Sequence, residues 1–457
     1  MDAKKRYVYF ASFVAALGGL LFGYDTAVIA GAIGFLREFF HLNAAETGWA
    51  TGSALVGCIF GVAAAGLLSD SIGRKKVLLM SAVLFTISAI GSAVPKNLTE
   101  FVIYRMIGGV GVGAASMVSP LFIAEISPPH IRGKLVSWNQ FAIVFGMLVV
   151  YFVNYFIARG GTVDWNVTIG WRWMFGSETL PAVLFFILLF FVPESPRFLI
   201  KKGNVDSGQA ILARIGGHDH AKVETAEIQK AISMESGSIR ELFSKNLRLI
   251  LIVGIALAIL QQITGINVII YYAPEIFKTL GSTSDAALLQ TIVVGFVNLT
   301  FTIVAISAVD KYGRKPLMLI GATGMGLSLL AVGFTTFLQI SGIWVLLFVL
   351  TYIASFALSI GPVTWVILAE LYPTRIRGRA MAICTMMLWA ANYLVSQTFP
   401  MLNENPLLVR VFHHGFSFWI YALFCVAMFL VVKYGIPETK GKTLEEIEGF
   451  WIRRISS

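Results

Sequence analysis

Twelve mainly apolar stretches, each long enough for a membrane-spanning helix of about 20 residues, dominate the sequence. In lipid every backbone N–H and C=O must find its partner within the protein, which leaves only helices and closed barrels. The alternating ten-residue pattern of a membrane barrel does not occur in the sequence. The sequence therefore predicts an all-α integral membrane protein, with spans near residues 7–32, 47–69, 77–94, 100–124, 136–157, 174–192, 247–274, 286–308, 317–338, 342–369, 380–400 and 415–435.

The composition and the placement of charge agree with that class. Hydrophobic residues make up 57% of the chain and charged residues 13%, whereas soluble domains carry about 25% charged residues. Lys and Arg concentrate in the loops on one side, which predicts that both termini are cytoplasmic in a multi-pass protein of the cell inner (plasma) membrane. The net charge of +10 then faces anionic lipid, and no nucleic-acid partner is expected. Six basic residues fall in the opposite loops: Arg37, Lys96, Arg159, Arg172, Lys278 and Arg410.

The chain also repeats itself. DSIGRKK at 70–76 returns as DKYGRKP at 310–316, AEISPPHIRG at 124–133 returns as AELYPTRIRG at 369–378, and PESPR at 193 returns as PETKG at 437. Each pair follows the same span of its half, which predicts two six-helix halves in parallel orientation, a known transporter plan. The predicted divisions are a first half 1–192, a linker 193–246, a second half 247–436 and a cytoplasmic tail 437–457.

The linker is polar but has apolar residues at helical spacing, interrupted by Gly216 and Gly217. We expect short amphipathic helices on the cytoplasmic surface that latch the halves through salt bridges, the alternative being a flexible tether. The repeated loops carry opposite charges. Ion pairs between them could hold the cytoplasmic ends of the spans together when the site faces outward and could separate when it faces inward. The alternative is that they only fix topology. These charges are Asp70, Arg74, Glu125 with Arg132, Asp310, Arg314, and Glu370 with Arg377.

Several longer motifs identify a family. GR[KR] after the second and eighth spans, PESPR, QQITGINVIIYYAPEIF, GPVTWVILAELYPTRIRG and PETKGKTLEEIE resemble the sugar porter family of the major facilitator superfamily over nearly the whole chain. FGYDTAVIAG and SPLFIAEISPPHIRGKLVSWNQFAIVFG further resemble bacterial members that carry D-xylose with protons. The resemblance implies proton-coupled uptake of D-xylose or a related pyranose by alternating access.

Polar and aromatic side chains inside the spans fit that substrate. A pyranose needs amide partners for its hydroxyls and aromatic faces for its C–H surface, and amides inside a membrane are costly unless used. Polar contact between helices is the alternative for any single one of them. Gln261 and Asn267 could share a face if their helix breaks at Gly265. Phe22 supplies one such aromatic ring. By resemblance the sugar site comprises Gln140, Gln261, Gln262, Asn267, Tyr271, Asn298, Trp365 and Trp389, with Gly361 at a bend of the tenth helix.

Two positions depart from the pattern of the xylose carriers. That pattern has glutamine where this chain has Met147 and Leu388, so two amide partners for sugar hydroxyls are missing. A D-glucose or other hexose proton symporter therefore remains an alternative, as does a facilitative sugar uniporter.

One acid lies in the first span, and a charge there costs about 2.5–3.5 kcal/mol unless it has a partner or a task. By resemblance Asp25 binds the proton, Arg105 tunes it, and Glu178 supports the pair. A structural ion pair in a uniporter is the alternative.

Other classes find little support. The glycine run at 108–116 follows no strand and indicates helix packing, so no enzyme is expected, and a non-transporting sugar sensor is disfavoured. Cys58, Cys384 and Cys425 lie in apolar spans without metal-ligand spacing. We therefore expect no cofactor and no metal. The expected partners are a monosaccharide, a proton and the lipid bilayer, with the protein as a monomer.

Overall fold

The first half of the chain begins with five long helices. The computed structural model describes residues 3–234, 239–340, 342–373 and 376–442, and it contains no β-strand within those ranges. Each of the first five predicted spans falls on one helix. These helices are α1 (Ala3–Phe40), α2 (Ala44–Ile72), α3 (Arg74–Ala93), α4 (Leu98–Ile126) and α5 (Pro129–Arg159).

The sixth span begins earlier than its predicted start at residue 174. It consists of α6 (Val163–Trp165), a π-helical turn (Asn166–Gly170), α7 (Trp171–Gly176) and α8 (Thr179–Leu189). The polar Asn166 suggested a loop, but its amide donates to the Ala158 carbonyl at 2.8 Å and only 5% of the residue is exposed. A buried amide nitrogen that bonds to the backbone does not end a helical segment, so the apolar pattern alone placed the boundary too late.

The linker is helical, as predicted for its described part. It forms α9 (Pro196–Lys201), α10 (Val205–Gly216) and α11 (His218–Met234), followed by the short α12 (Ile239–Leu242). The helix α10 ends where Gly217 adopts a positive φ of 98°. The amphipathic faces of α9–α11 meet in a small core of Ile200, Leu212, Ala221 and Ile228.

The second half has two interrupted spans. Its helices are α13 (Lys245–Ile263), α14 (Ile266–Thr279), α15 (Ser284–Tyr312), α16 (Arg314–Phe337), α17 (Ile343–Ser355), α18 (Gly361–Leu371), α19 (Arg377–Asn403), α20 (Pro406–Phe412) and α21 (Phe416–Leu430). A π-helical turn, Phe356–Ile360, joins α17 to α18, and another, Val431–Gly435, follows α21. The break between α13 and α14 falls at Gly265, whose φ of 94° suits a residue without a side chain.

Eleven helical segments of the described chain are long and apolar enough to cross a membrane. The remaining predicted span, 380–400, lies within α19, a helix of 27 residues. Twelve helical spans therefore account for the twelve apolar stretches of the sequence.

The described chain forms two compact units whose limits cut through helices. The first comprises Met1–Thr26, Val56–Met147 and Phe175–Gly237, and the second comprises Ala27–Leu55, Leu148–Met174 and Ser238–Ser457. In the first unit α3 packs on α4 and α8. In the second, α16 packs on α17 and α21, while α13 packs on α19. The division of the chain at residues 193 and 246 remains a prediction about its duplicated halves.

Candidate functional site

The acid of the first span is paired with Arg105. Asp25 is fully buried and Arg105 is 1% exposed. Arg105 Nη1 donates to Asp25 Oδ1 at 2.5 Å, and Nη2 donates to the Asp25 backbone oxygen at 2.9 Å. The guanidinium carbon also lies 5.3 Å from the ring centroid of Phe175. Two bonds to one residue hold this cation in a fixed orientation inside the first unit.

A second carboxyl group lies beside the ion pair. Glu178 is 1% exposed, and its side chain interacts electrostatically with both Asp25 and Arg105. The adjacent Ser177 forms a hydrogen bond with the hydroxyl of Tyr24, at 2.7 Å between the two oxygens. The sequence had not drawn attention to Tyr24 and Ser177, although each neighbours a predicted coupling acid. The first unit therefore gathers two acids and one base in a buried site.

Close packing of α2 and α4 positions Arg105. A Cβ added to Gly57 would clash with the Met106 carbonyl, and one added to Gly113 would clash with the Cys58 carbonyl. The glycine run of α4 thus lets two helix backbones approach each other, as the sequence predicted for that run. This contact fixes the position of α4, and with it Arg105, relative to α2.

The second unit contains a row of amides at the break of the seventh span. Gln261 Nε2 donates to the backbone oxygens of Ile360 and Gly361, at 3.2 and 3.1 Å. Gln262 Nε2 donates to Gln261 Oε1 at 3.3 Å, and Asn267 Nδ2 donates to Gln262 Oε1 at 2.5 Å. The break at Gly265 brings the amides on either side of it together. The sequence predicted this arrangement only if the helix breaks at that residue.

Aromatic and amide side chains lie on the neighbouring helices of this unit. Asn392 donates to the Tyr271 hydroxyl at 3.4 Å and accepts from Ser396 at 3.2 Å. Tyr151, which the sequence did not single out, donates to the Ile270 carbonyl at 3.0 Å. Trp389 is 3% exposed and Asn298 is 7% exposed, whereas Trp365 is half-buried.

The remaining predicted sugar-site residues fall on both sides of the division. Phe22, Gln140 and Met147 belong to the first unit, on α1 and α5, while Leu388 belongs to the second, on α19. Phe22 and Gln140 are half-buried, and Met147 and Leu388 are 9% and 3% exposed. Gly361 begins α18, at the bend that the sequence placed in the tenth span.

Arg74 organises the charged loop of the first half. Its Nε and Nη2 each donate at 2.9 Å to one oxygen of Glu125, and its Nη1 donates to Asp70 at 3.0 Å. The expected pairing of Glu125 with Arg132 is not among the ion pairs of the described residues, because Arg74, Ser195 and Arg197 surround the Glu125 carboxylate. Arg132 instead donates to Glu224 of the linker at 3.3 Å.

The loop of the second half repeats this arrangement. Arg314 Nη2 donates to Glu370 Oε1 at 3.0 Å, and Thr439 donates to Glu370 Oε2 at 2.5 Å. Arg377 donates to the Tyr372 carbonyl at 3.3 Å and interacts with Glu370 electrostatically, but the two form no ion pair among the described residues. The side chain of Asp310 lies outside the described residues.

Two glutamates of the repeated PES and PET motifs complete these networks. Glu194 accepts from the backbone N–H groups of Arg74 and Lys75, at 3.0 and 3.1 Å. Glu438 accepts from those of Arg314 and Lys315, at 3.1 and 3.0 Å. Each carboxylate thus caps the positive end of a helix. The sequence repeat contained this signal, but no role had been assigned to either glutamate.

Another ion pair, not foreseen from the sequence, lies at the predicted outer ends of α1 and α19. Arg37 Nη1 and Nη2 donate to the two oxygens of Glu404 at 2.5 and 2.7 Å. Nearby, Gln397 Nε2 donates to the Ala45 carbonyl at 2.9 Å. Both contacts lie within the second unit and join first-half helices to α19 at that end.

Known proteins similar to this chain share its motifs and its fold. The family model described as "Sugar (and other) transporter" matches residues 11–451. The D-xylose-proton symporter of Escherichia coli (strain K12) is 49% identical, over 98% of this chain and 96% of that protein. The arabinose-proton symporter of Bacillus subtilis (strain 168) is 42% identical, over 98% and 96%.

A solved structure agrees with these relatives. The major facilitator proton:xylose symporter XylE bound to 6-bromo-6-deoxy-D-glucose superposes with a TM-score of 0.84 at 48% identity, covering 98% of this chain and 100% of that one. The predicted fold of twelve helices in two parallel six-helix halves is thereby confirmed. The matched proteins are carriers and not enzymes, and they favour proton-coupled sugar symport over the alternatives. The chain belongs to the sugar transporter family of the major facilitator superfamily, as its motifs predicted.

Proposed function

We propose that the protein carries D-xylose or a closely related pyranose into the cell together with a proton. The buried pair of Asp25 and Arg105, with Glu178 beside it, is the observation that carries the proton part of the proposal. The sugar-binding part of the proposal is supported by the amide row of α13 and α14 and by the buried Trp389 of α19, the helix that packs on α13.

The charge count of the buried site supports a role in proton binding. Two carboxylates and one guanidinium would leave a net negative charge in a site that excludes water, and two acids that share a site do not readily ionise together. A proton held by the acids removes that charge. An alternating movement that draws Arg105 away from Asp25 would favour protonation, and its return would favour release. This is the coupling that symport requires.

The identity of the sugar rests on the substituted positions. Met147 offers a sugar hydroxyl only a weak thioether acceptor and Leu388 offers it no polar group, so fewer polar groups select among pyranoses here. The named relatives carry xylose and arabinose, and the solved xylose symporter holds a glucose derivative. We propose D-xylose as the principal substrate, and the same site would accept hexoses with lower discrimination.

Transport into proteoliposomes tests this function. Purified protein in vesicles with an inward proton gradient is expected to accumulate xylose, because one proton moving through about 100 mV supplies about 2.3 kcal/mol, or some tens-fold of gradient. A panel of xylose, glucose, galactose, arabinose and inositol ranks the substrates. Equal uptake with and without the gradient would identify a uniporter, and sugar binding without flux would identify a sensor.

The orientation in the membrane belongs to the same proposal. The excess of Lys and Arg in the loops on one side supports cytoplasmic termini in a cell inner (plasma) membrane, and we propose that the protein acts there as a monomer. Labelling of single cysteines introduced at exposed loop positions would check the orientation in intact cells. Accessibility from outside at the charged loop near Arg74 would contradict it.

The ion pair of Arg37 and Glu404 provides a test of alternating access. It holds the predicted outer ends of α1 and α19 together, and we expect it to break when that end opens. The side chains are 39% and 32% exposed, so the pair contributes at most about 1 kcal/mol. Reversal of one charge, in Arg37→Glu or Glu404→Arg, should raise the fraction of molecules in the outward-open conformation. The apparent KM for external sugar should therefore fall by about two- to fivefold.

The double variant Arg37→Glu/Glu404→Arg serves as the control, because it restores attraction with the charges exchanged. Its apparent KM should return towards the original value. Single reversals without effect on KM, or a double variant that behaves like a single one, would show that this pair does not bias the conformational equilibrium.

A further inference from the structure

Two serines of α3 differ from the other hydroxyl residues of that helix. A serine or threonine inside a buried helix often donates to the backbone carbonyl four residues earlier. Ser81 and Thr86 do so, at 3.0 and 2.9 Å. Ser88 and Ser92 are 1% and 0% exposed, and neither hydroxyl has a hydrogen-bond partner among the described residues. Their hydroxyls are therefore available to a group other than the backbone of α3.

The Ser88 hydroxyl lies beside the buried ion pair. A Cβ atom added to Gly108 of α4 would clash with Ser88 Oγ and would lie 3.5 Å from Asp25 Oδ1. The two oxygens are therefore no more than about 6 Å apart, which one water molecule spans with a hydrogen bond on either side. Ser88 is thus placed to hold a water molecule against the Asp25 carboxylate.

The charged groups of this site also have hydrogen-bonding capacity left over. While both acids are ionised, Asp25 Oδ2 and the two carboxyl oxygens of Glu178 receive no N–H or O–H group from the described residues, and Arg105 Nε donates to none of them. Buried polar atoms are rarely left unpaired, and ordered water satisfies many of those that the protein does not. The site therefore has the polar partners that a buried water molecule needs.

The helix α3 lies along this site from one side. It packs on α4, which carries Arg105, and on α8, which begins directly after Glu178. Ser92 lies one turn beyond Ser88 on the same face of α3, because residues four apart are neighbours on a helix surface. Two residues after Ser92, at the predicted outer end of the helix, Val94 is 64% exposed. The two hydroxyls therefore lead from that end of α3 towards the ion pair.

We propose that Ser92 and Ser88 are positioning residues, which hold a chain of ordered water that delivers the transported proton from the outer end of α3 to Asp25. The inference rests on the proposed role of Asp25 as the proton-binding acid. A proton enters the chain at the Ser92 end, each oxygen accepts one hydrogen and passes on another, and the last water donates to the carboxylate. The hydroxyls are left unchanged, so the net result is the movement of one proton.

Initial rates of proton-driven sugar uptake into proteoliposomes test this role. We expect Ser88→Ala to lower the initial rate of uphill uptake about tenfold, because the chain loses a hydrogen-bonded link next to Asp25. Counterflow exchange should be unchanged, since it needs no net transfer of protons. Ser81→Ala is the matched control, because Ser81 is equally buried on the same helix but donates to the backbone. It should leave both rates unchanged.

The solvent isotope effect is the second readout. Heavy water slows a step in which a proton is transferred, so the ratio of uptake rates in ordinary and heavy water should rise in Ser88→Ala, where proton delivery limits the rate. A serine with only a structural role would leave this ratio unchanged. Ser92→Ala should change the rate and the ratio in the same direction, and it tests the path if Ser88→Ala does not assemble.

Uptake rates and isotope ratios that stay unchanged in both variants would overturn the inference. A loss of counterflow as large as the loss of uptake would also overturn it, because the defect would then lie in sugar movement and not in proton delivery. Failure of the proposed function is distinguishable from these outcomes. In that case Asp25→Asn still accumulates sugar, or the unsubstituted protein shows no uptake driven by the proton gradient.

Discussion

Asp25→Asn is expected to abolish uphill sugar uptake and sugar-driven alkalinisation while sparing counterflow exchange. The asparagine keeps the shape of the side chain but cannot bind and release a proton. With coupling, about 100 mV can support a sugar gradient of some tens-fold. Without coupling, the sugar concentrations on the two sides of the membrane become equal. Uptake against a gradient and external pH are measured in cells or proteoliposomes. Asp164→Asn, which neutralises an exposed acid of the α5–α6 region, is the control and should accumulate sugar normally.

The loss of a charge partner must be separated from the loss of coupling. Asp25→Asn leaves the Arg105 guanidinium buried without a counter-charge at its usual place, which destabilises a protein by about 3–5 kcal/mol. The double variant Asp25→Asn/Arg105→Met removes the cation as well, and it should recover thermal stability without recovering accumulation. Uphill uptake that persists in Asp25→Asn would show that Asp25 is not the coupling acid.

Glu125→Ala is expected to destabilise the protein more than the equivalent change in the second half, Glu370→Ala. Arg74 and Glu125 are 4% and 5% exposed, whereas Arg314 and Glu370 are 14% and 25% exposed. Removal of Glu125 takes two hydrogen bonds from a buried guanidinium and leaves Asp70, which is 48% exposed, as its remaining ion-pair partner, so it should cost about 3 kcal/mol of unfolding free energy. The effect of Glu370→Ala should be clearly smaller, because water reaches its partner.

Thermal unfolding of the purified variants measures this difference, and the repeat supplies the matched pair within one molecule. Asp70→Ala is a further control, because the Asp70 side chain is 48% exposed and exposed ion pairs contribute little. Equal losses for Glu125→Ala and Glu370→Ala would contradict the expectation that burial, rather than the number of bonds, sets the cost.

Features that depend on local sequence were predicted well. The apolar runs gave the spans, because a helix in lipid satisfies its backbone within one segment. The repeated motifs gave the two halves and the family, and Gly265 and Gly361 marked the interrupted helices. The start of the sixth span was missed, since a buried, hydrogen-bonded Asn166 resembles a loop residue in sequence.

The charged loops illustrate the limit of spacing arguments. Glu125 and Arg132 are close in sequence, yet Glu125 binds Arg74, which is 51 residues away. A bidentate partner from another helix, together with Ser195 and Arg197, surrounds the acid and takes the place of the local arginine. The packing of the helices decides which of several nearby cationic side chains has the geometry to bind the carboxylate.

The sequence by itself determined the membrane class, the duplication, the family and the presence of one acid in the first span, because hydrophobicity and motifs are properties of contiguous residues. The tertiary structure decided the partners. Glu125 pairs with Arg74 from 51 residues away, and Gln261 meets the Ile360 carbonyl from 99 residues away. Hydrogen bonds act over about 3 Å and depend on direction, so the spacing of residues along the chain does not specify which distant groups meet.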